Sequence, residues 1–448
     1  MGGSDTIVAR ATPPGRGGVA VVRLSGPGVP DIAPAILGTA MPRPRYAAFR
    51  RFRDATNAVL DEGLALYFAG PASFTGEDIL ELHAHGGDIV VARLIARLHA
   101  LGAREAEPGE FSRRAFLNGR LDLSQAEAIA DLIDARSDAA AQAALRSLDG
   151  EFGRHVGELT EATTALRVQV ESAIDFPDDE IDVADDARVH AQLSELERRL
   201  DETLTTARRG RTLRDGMQVV IIGHPNVGKS TLLNRLADDD TAIVTATPGT
   251  TRDTLREDIV IDGMPLRVID TAGLRESSDA IEQEGVRRAW KAVESCDRVL
   301  LVTDTAGDLE AAETAILNQI PDGVGVSVVR NKLDRHQAAP GRVDGTDPPT
   351  VNISATGGDG MDALRRHLLE AMGFTAGGGA YSARQRHLDA LQRARDHLSV
   401  ARRHAAVGDG ELMAEELGAL QRALGEITGA VSSEDLLGRI FTTFCIGK

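Results

Sequence analysis

The sequence predicts a multidomain protein that combines an N-terminal α+β domain, an α-helical domain and a doubly wound α/β domain inserted into the helical one. Short β-branched runs separated by turn clusters fill the first quarter of the chain. Helical patterns then flank residues 214–374 on both sides, and inside that range apolar strands alternate with helices. A chain of 448 residues is too long for one compact core, so several domains are expected.

Composition limits the classes of function. The formal net charge of −18 argues against a uniformly basic surface, so any RNA contact needs a local arginine patch, for which segments 50–53 and 208–214 are candidates. Two cysteines, Cys296 and Cys445, are too few for a disulfide framework or a zinc site. Neither a signal peptide nor an apolar run of about 18 residues is present, so we expect a soluble, cytoplasmic protein.

The N-terminal α+β domain is predicted over residues 1–119. The runs 18–24 (GVAVVRL) and 64–68 (LALYF) are apolar and short, as strands of a mixed fold are, and the segment 13–18 (PPGRGG) is a turn cluster.

Two helical blocks are predicted, over residues 120–213 and 375–448. Good helix formers fill runs such as 193–200, and the second block follows a glycine linker at 377–379. Because an amphipathic helix must bury its apolar stripe, the economical arrangement packs both blocks into one domain that carries residues 214–374 as an insertion. Two separate bundles are the alternative.

The inserted domain is predicted over residues 214–374. Its runs 219–222, 298–303 and 326–329 are apolar enough to be buried in a parallel sheet. The dipeptide Asp-Gly at 262–263 lies between two further strand-like runs and indicates a hairpin.

A glycine-rich segment follows the first of these strands. Residues 223–230 read GHPNVGKS and open a helix predicted at 231–236, which is the context that a phosphate-binding P-loop requires. Backbone N–H groups and the helix N-terminus can hold the phosphates. Lys229 can reach the β and γ oxygens, and Ser230 can ligate Mg²⁺.

Three shorter motifs follow in the order found in G domains. Residues 270–273 (DTAG) end a strand, where the Asp270 carboxylate can reach the Mg²⁺ shell. Residues 331–334 (NKLD) also follow a strand, and the Asp334 carboxylate can accept both N–H donors of the guanine edge, which adenine cannot offer. Residues 354–356 (SAT) complete the base pocket, so the sequence predicts a GTP-hydrolysing enzyme.

A threonine-rich loop at 245–251 (TATPGTT) resembles a switch I loop, and Thr251 is the predicted second hydroxyl ligand of Mg²⁺ after Ser230. The predicted nucleotide-site residues are Asn226, Val227, Gly228, Lys229, Ser230, Thr231, Thr245, Ala246, Thr247, Pro248, Gly249, Thr250, Thr251, Asp270, Thr271, Ala272, Gly273, Asn331, Lys332, Leu333, Asp334, Ser354, Ala355 and Thr356.

The water-orienting glutamine of small Ras-like GTPases is missing. That glutamine follows the Asp-x-x-Gly motif directly, but this chain has Leu274, which cannot hydrogen-bond to a water. Three carboxylates that could position the water follow at Asp279, Glu282 and Glu284, and the residues around them do not favour any one of the three.

Motifs near both ends of the chain extend beyond the GTP site. Together with the P-loop domain, the segments DTIVA (5–9), ATPPGRGGV (11–19), FTGED (74–78), IDFP (174–177) and FCIGK (444–448) resemble the MnmE (TrmE) family of tRNA modification GTPases, which belongs to the TrmE-Era-EngA-YihA-Septin-like P-loop GTPases. The resemblance spans nearly the whole chain.

The resemblance implies an N-terminal domain that dimerises and binds a folate, followed by a helical domain that carries the G domain. It implies a homodimer that works on tRNA with the FAD-dependent protein MnmG, in a heterotetramer-type complex and without a membrane. The reaction adds an aminomethyl or carboxymethylaminomethyl group at C5 of the wobble uridine of certain tRNAs. By the same resemblance, 5-formyltetrahydrofolate or another tetrahydrofolate supplies the one-carbon unit.

The resemblance also implies residue roles. Glu282 would orient the attacking water, and Cys445 would be the family's functional thiol. The GTPase would be stimulated by K⁺ and activated when two G domains associate. The implied potassium ligands are Asn226, Thr245, Thr247 and Thr250, and the implied folate contacts are Arg23, Glu81, Arg120 and Lys448, with Arg120 standing where the family often has lysine.

An alternative from another class is a GTP-dependent ribosome-assembly factor, similar to Era or Der, that binds RNA without modifying it. A G domain alone does not exclude this function. The N-terminal motifs and the single P-loop argue against it.

Overall fold

The structure, a computed structural model, describes residues 5–175, 187–224, 226–238, 256–261, 264–270, 290–294, 296–304, 311–321, 324–335, 338–371, 379–431, 433–444 and 447. The predicted site residues outside these ranges are Thr245 to Thr251, Thr271 to Gly273, Glu282, Cys445 and Lys448. The chain divides into two compact units: residues 1–130, 147–196 and 393–448 form the first, and residues 131–146 and 197–392 form the second. The predicted domain boundaries stay predictions.

The strands in chain order are β1 (Ile7–Arg10), β2 (Gly17–Ser25), β3 (Ala48–Arg53), β4 (Val59–Phe68), β5 (Ile79–Gly86), β6 (Arg104–Glu105), β7 (Met217–Ile222), β8 (Arg256–Ile261), β9 (Met264–Asp270), β10 (Arg298–Thr303), β11 (Gly325–Arg330), β12 (Gly341–Val343) and β13 (Thr350–Asn352). The helices in chain order are α1 (Val29–Leu37), α2 (Asp88–Ala100), α3 (Glu110–Leu117), α4 (Leu123–Ile133), α5 (Asp138–Leu148), α6 (Glu151–Asp175), α7 (Ala187–Asp215), α8 (Lys229–Asp238), α9 (Ala311–Leu317), α10 (Met361–Ala371), α11 (Gln385–Ala406), α12 (Gly410–Thr428) and α13 (Glu434–Thr442).

The first unit contains a six-stranded sheet in the order β3-β4-β5-β2-β1-β6. Its strands pair antiparallel except for β1 with β6. Side chains alternate across the sheet, so Val22 and Leu24 are buried in the core with Leu80 and Leu82. The residue between the first two, Arg23, points to the opposite face and is only partly buried. This alternation confirms the predicted α+β domain. The opposite face carries Arg23 and also a smaller buried apolar cluster that includes Ile7 and Ala9 of β1.

Helices from the two predicted helical blocks pack together within the first unit. Gln421 of α12 donates to the hydroxyl of Thr164 on α6 at 3.1 Å, and Arg167 of α6 lies 3.5 Å from the Gln421 side-chain oxygen. Apolar positions on both helices, among them Leu166 and Leu417, are buried. This packing agrees with the burial argument made from their amphipathic patterns.

The C-terminal helix α13 docks into the first unit. Phe441 and Phe444 are buried in one cluster with Leu123 and Ala126 of α4. A Cβ on Gly447 would overlap the carbonyl oxygen of Arg10, so the chain beyond α13 also lies against the N-terminal domain. The apolar character of the C-terminus therefore reflects a docked segment.

The second unit contains a seven-stranded sheet in the order β12-β13-β11-β10-β7-β9-β8. The five inner strands are parallel, and β12 and β8 join the edges antiparallel. Alternate residues of β7 enter two different cores: Val219 and Ile221 belong to one apolar cluster, and Val220 and Ile222 to the other. Burial on both faces confirms the predicted doubly wound domain.

None of the helices that the structure describes is both long and apolar enough to span a bilayer.

Candidate functional site

The P-loop lies at the carboxyl end of β7. Gly223 has φ of 151°, and a Cβ there would overlap the carbonyl oxygen of Val302 on β10. Gly228 has φ of 95°, and a Cβ there would overlap the side-chain amide of Asn331. Both positions therefore require glycine, because the loop turns in the left-handed region while touching its neighbours.

Lys229 is the first residue of α8 and turns back over the loop. Its Nζ donates to the carbonyl oxygens of Gly223 at 2.8 Å and His224 at 3.0 Å. Ser230 and Thr231 follow in the first turn, where both are exposed. The first N–H groups of a helix have no partner inside the helix and carry a partial positive charge. This end of α8 is therefore suited to bind phosphate groups.

The buried side chain of Asn331 connects the P-loop with the predicted base-binding loops. Its amide nitrogen donates to the carbonyl oxygen of Val227 at 2.8 Å, and its amide oxygen accepts from the backbone N–H of Ala355 at 2.9 Å. The backbone N–H of Asn331 donates to the carbonyl oxygen of Thr303 on β10. One amide thus fixes the relative positions of three predicted motifs.

The predicted guanine ligand Asp334 is exposed, three residues after Asn331. Its carboxylate accepts from the Ser354 hydroxyl at 3.1 Å, and the Ser354 oxygen accepts from the N–H of Gly357 at 3.0 Å. Lys332, at φ of 61°, pairs with Asp304 at 2.8 Å. Ser354 therefore orients a carboxylate whose remaining lone pairs can accept the two donors of guanine.

The strand order explains why these motifs meet. Because β7, β10 and β11 are parallel, their carboxyl ends lie at one edge of the sheet, and the segments after β7 and β11 are the P-loop and residues 331–334. Asp270, at the end of β9, lies opposite Ile221 in the β7–β9 register, two residues before Gly223. Ligands of open α/β sheets bind at this edge.

A second candidate site lies in the first unit, as a cavity of about 420 Å³ on the sheet face that carries Arg23. Its lining residues are Arg23, Arg45, Phe68, Ser73, Phe74, Ile79, Glu81 and Ile129. Arg23 on β2 and Glu81 on β5 lie directly opposite in the antiparallel register, and the Arg23 Nε donates to Glu81 at 2.8 Å. The cavity therefore presents both a carboxylate and guanidinium groups beside apolar walls.

Aromatic rings hold the two arginines of this cavity. The guanidinium of Arg23 lies 5.8 Å from the ring centroids of both Phe74 and Phe111, and that of Arg45 lies 5.7 Å from the ring centroid of Phe68. Such cation–π contacts restrict the orientation of an arginine without neutralising its charge.

The loop that contributes Phe74 is anchored by a buried arginine, Arg114. Its guanidinium donates to Glu77 at 3.1 Å and to Glu110 at 2.9 Å, and only 6% of its side chain is exposed. Burial alone would raise the pKa of Glu110, but hydrogen bonds from Arg104 and Arg114 outweigh it and hold that pKa below its usual value. Glu110 therefore stays ionised and keeps the network charged at neutral pH.

The structure brings some of the predicted folate contacts together. Arg23 and Glu81 share the cavity, whereas Arg120 is not among its lining residues within the described part of the chain. The side chain of Arg120 lies beside Gly76, and Gly76 belongs to the loop that contains Phe74. Arg45 was not among the predicted contacts, because its place at the cavity depends on a turn with φ of 59° that no motif marks.

Comparisons with known proteins agree with the motifs. The family model described as GTP-binding protein TrmE N-terminus matches residues 6–120, and the one described as MnmE helical domain matches residues 123–445. The tRNA modification GTPase MnmE of Alkalilimnicola ehrlichii is 58% identical over 446 residues, which are 99% of each chain. The protein of the same name from Sodalis glossinidius is 52% identical, and the alignment covers 100% of both chains.

Among solved structures, a variant of Era from Aquifex aeolicus bound to GDP and aluminium fluoride is 26% identical. The alignment covers 40% of this chain and 66% of that one, with a TM-score of 0.28. The ribosome-assembly alternative is not supported, because the N-terminal and helical matches together span nearly the whole chain.

Proposed function

Because this chain belongs to the MnmE family of tRNA modification GTPases, we propose that it acts with the FAD-dependent protein MnmG at the wobble uridine of certain tRNAs. The proposed reaction adds an aminomethyl or carboxymethylaminomethyl group at C5, and GTP hydrolysis accompanies it. The observation that carries this proposal is the Arg23–Glu81 cavity, whose lining residues other than Ile129 lie in the region that matches the TrmE N-terminus. A tRNA substrate supports a cytoplasmic location.

The cavity fits a reduced folate by the chemistry of its donors and acceptors. Glu81 can accept N–H donors from the edge of a pterin ring, and Arg23 and Arg45 can pair with the carboxylates of a folate tail. Phe68 and Phe74 supply apolar faces for the flat rings. When bound, 5-formyltetrahydrofolate or another tetrahydrofolate would supply the one-carbon unit. We place Arg120 and Lys448 among its contacts as well.

The nucleotide site fits GTP with Mg²⁺. Lys229 and the N-terminal N–H groups of α8 would hold the phosphates, and Asp334 would select guanine. Ser230 and Thr251 would ligate Mg²⁺, and the carboxylate of Asp270 would complete the shell.

We propose that hydrolysis depends on K⁺ and on the association of two G domains in the homodimer. Asn226 and the oxygens of Thr245, Thr247 and Thr250 would hold K⁺ beside the phosphates. The cation would stabilise the negative charge that develops in the transition state, in place of an arginine. Glu282 would then orient the attacking water.

The folate proposal is tested by what the purified protein retains. Purified wild-type protein is expected to bind 5-formyltetrahydrofolate, and Glu81→Ala should abolish that binding while leaving GTP affinity unchanged, because the two sites lie in different units. Asp31→Ala, which removes an exposed carboxylate from α1 of the same domain, serves as the matched control. Wild-type protein that binds no reduced folate would contradict the proposal.

A further inference from the structure

The segment 43–53 carries a concentration of positive charge that is unusual for this chain. It reads RPRYAAFRRFR and contains five arginines and no acidic residue, although the formal net charge of the chain is −18. We call it the arginine segment. Within the described residues, Arg51 is the only one of these arginines that forms an ion pair, with Glu62 at 3.2 Å. Of the other four, Arg43 and Arg45 are exposed ahead of β3, whereas Arg50 and Arg53 are half-buried, so the excess positive charge lies mainly at the start of the segment.

Two aromatic rings are exposed in the same segment. Tyr46 is 63% exposed and Phe49 is 61% exposed. They are the only aromatic residues among the large hydrophobic side chains that the described part of the chain leaves exposed. An exposed apolar ring is unfavourable in water, so two such rings beside unpaired arginines indicate a surface for a partner that uses both.

The arginine segment connects an edge of the sheet with the cavity. Its strand β3 is the outer strand, and Phe49 and Arg51 lie on the same face, opposite Leu64 and Glu62 of β4. Arg45, near the start of the segment, lines the cavity together with Glu81. A partner bound along β3 would therefore reach the cavity mouth.

We propose that the arginine segment binds a single-stranded part of the tRNA substrate. Arginines would contact the phosphates, and Tyr46 and Phe49 would stack on unpaired bases, which is how proteins hold unpaired RNA. This inference rests on the proposed function, because it takes tRNA as the partner. A second copy of the chain fits this surface less well, because facing arginine segments would repel each other.

The test measures the affinity of the full-length protein for a tRNA that lacks the wobble modification, over a range of salt concentrations. Phe49→Ala should weaken binding by about 5- to 100-fold, the loss of one base–aromatic stack, and Phe49→Tyr should retain it. Arg43→Ala with Arg51→Ala, both at exposed positions, should make the dependence of log K on log [salt] shallower by about 1 to 2. Arg402→Ala with Arg403→Ala, an equal charge change on exposed positions of α11, is the control and should change neither quantity.

The GTPase rate and the oligomeric state of every variant are measured on the same samples. The side chain of Arg51 is 61% exposed, so its replacement should not disturb folding. The arginine variant therefore still measures tRNA binding by this surface if Phe49→Ala fails to fold. Unchanged affinity and salt dependence in the arginine-segment variants, with wild-type binding intact, would overturn the inference and leave the proposed function standing. A changed oligomeric state with unchanged tRNA affinity would show instead that copies of the chain meet here. Wild-type protein that does not bind tRNA would contradict both proposals.

Discussion

At the scale of single residues, the nucleotide site depends on the buried amide of Asn331. The motif predicted this residue as a GTP ligand, but its hydrogen bonds to Val227 and Ala355 were not predictable, since those residues lie 104 and 24 positions away in sequence. Sequence motifs identify the residue types that bind a nucleotide. The bridging contacts depend on strand order, which a motif does not contain.

Guanine selectivity should depend on Asp334. Asp334→Asn is expected to weaken GTP binding by about 10- to 100-fold, because hydrogen bonds to a charged acceptor are lost. The same variant should bind xanthosine triphosphate more tightly than wild type, since the xanthine edge offers an oxygen where guanine has an amino group. Isothermal titration with both nucleotides measures the change, and undiminished GTP affinity would place the base pocket elsewhere.

Cys445→Ser should leave the GTPase rate nearly intact, because Cys445 lies outside every nucleotide motif. It should abolish tRNA modification, because Cys445 is the proposed functional thiol. Modification retained in this variant would reduce the thiol to a packing residue.

The remaining thiol gives a control for folding in that variant. Burial, with the charge of Asp297, raises the pKa of Cys296 to about 11, so Cys296 should not react with a thiol reagent at pH 8 while the protein is folded. Labelling of the Cys445→Ser variant before denaturant is added would show that the fold is disturbed.

At the scale of elements, strand positions were predictable and their order was not. The runs 219–222 and 298–303 fall within β7 and β10, because strands buried on both faces are continuously apolar. The hairpin predicted around 262–263 is confirmed by the antiparallel pairing of β8 with β9. In the first unit, the neighbours β2 and β5 are far apart in sequence, so the pairing that places Arg23 opposite Glu81 was not predictable.

The loop that carries Phe74 should depend on Arg114. Arg114→Ala is expected to lower the free energy of unfolding by about 3 to 5 kcal/mol, because it removes a buried guanidinium that pairs with both Glu77 and Glu110 and leaves Arg104 as the remaining cation on Glu110. Arg51→Ala breaks an exposed pair and should cost less than about 1 kcal/mol. Urea unfolding of both variants makes the comparison, and equal losses would contradict a structural role for the buried network.

The same network should make the first unit sensitive to acid. The Arg104 hydrogen bond lowers the pKa of Asp5, and hydrogen bonds from Arg104 and Arg114 lower that of Glu110 despite its burial. A carboxyl with a lowered pKa in the folded state stabilises it fully above the ordinary carboxyl range, at about pH 5, and loses that contribution as the pH falls. Arg114→Ala should therefore flatten the decline of stability between about pH 5 and 2.

At the scale of the whole molecule, the proposed mechanism has K⁺ stabilise the transition-state charge that an arginine finger stabilises in other GTPases. An arginine finger is worth about 10³ to 10⁵ in rate, and K⁺ held by Asn226 would supply part of this. Turnover of the full-length protein should be slow in Na⁺ and at least about 10²-fold faster in K⁺, the lower end of what one preorganised donor contributes. Asn226→Ala should remove the difference.

A second variant separates the cation from the water-orienting group. Glu282→Ala should lower kcat by about 10²-fold while leaving GTP affinity unchanged. Equal rates in saturating Na⁺ and K⁺ would contradict the cation mechanism and leave the GTPase assignment in place.

The central claim is that this GTPase modifies the wobble uridine, and nucleoside analysis of tRNA tests it most directly. In tRNA from cells that lack this protein, the C5-modified wobble uridines should disappear. Wild-type protein should restore them, and Glu81→Ala should not. Unchanged wobble uridines in cells without the protein would contradict the account.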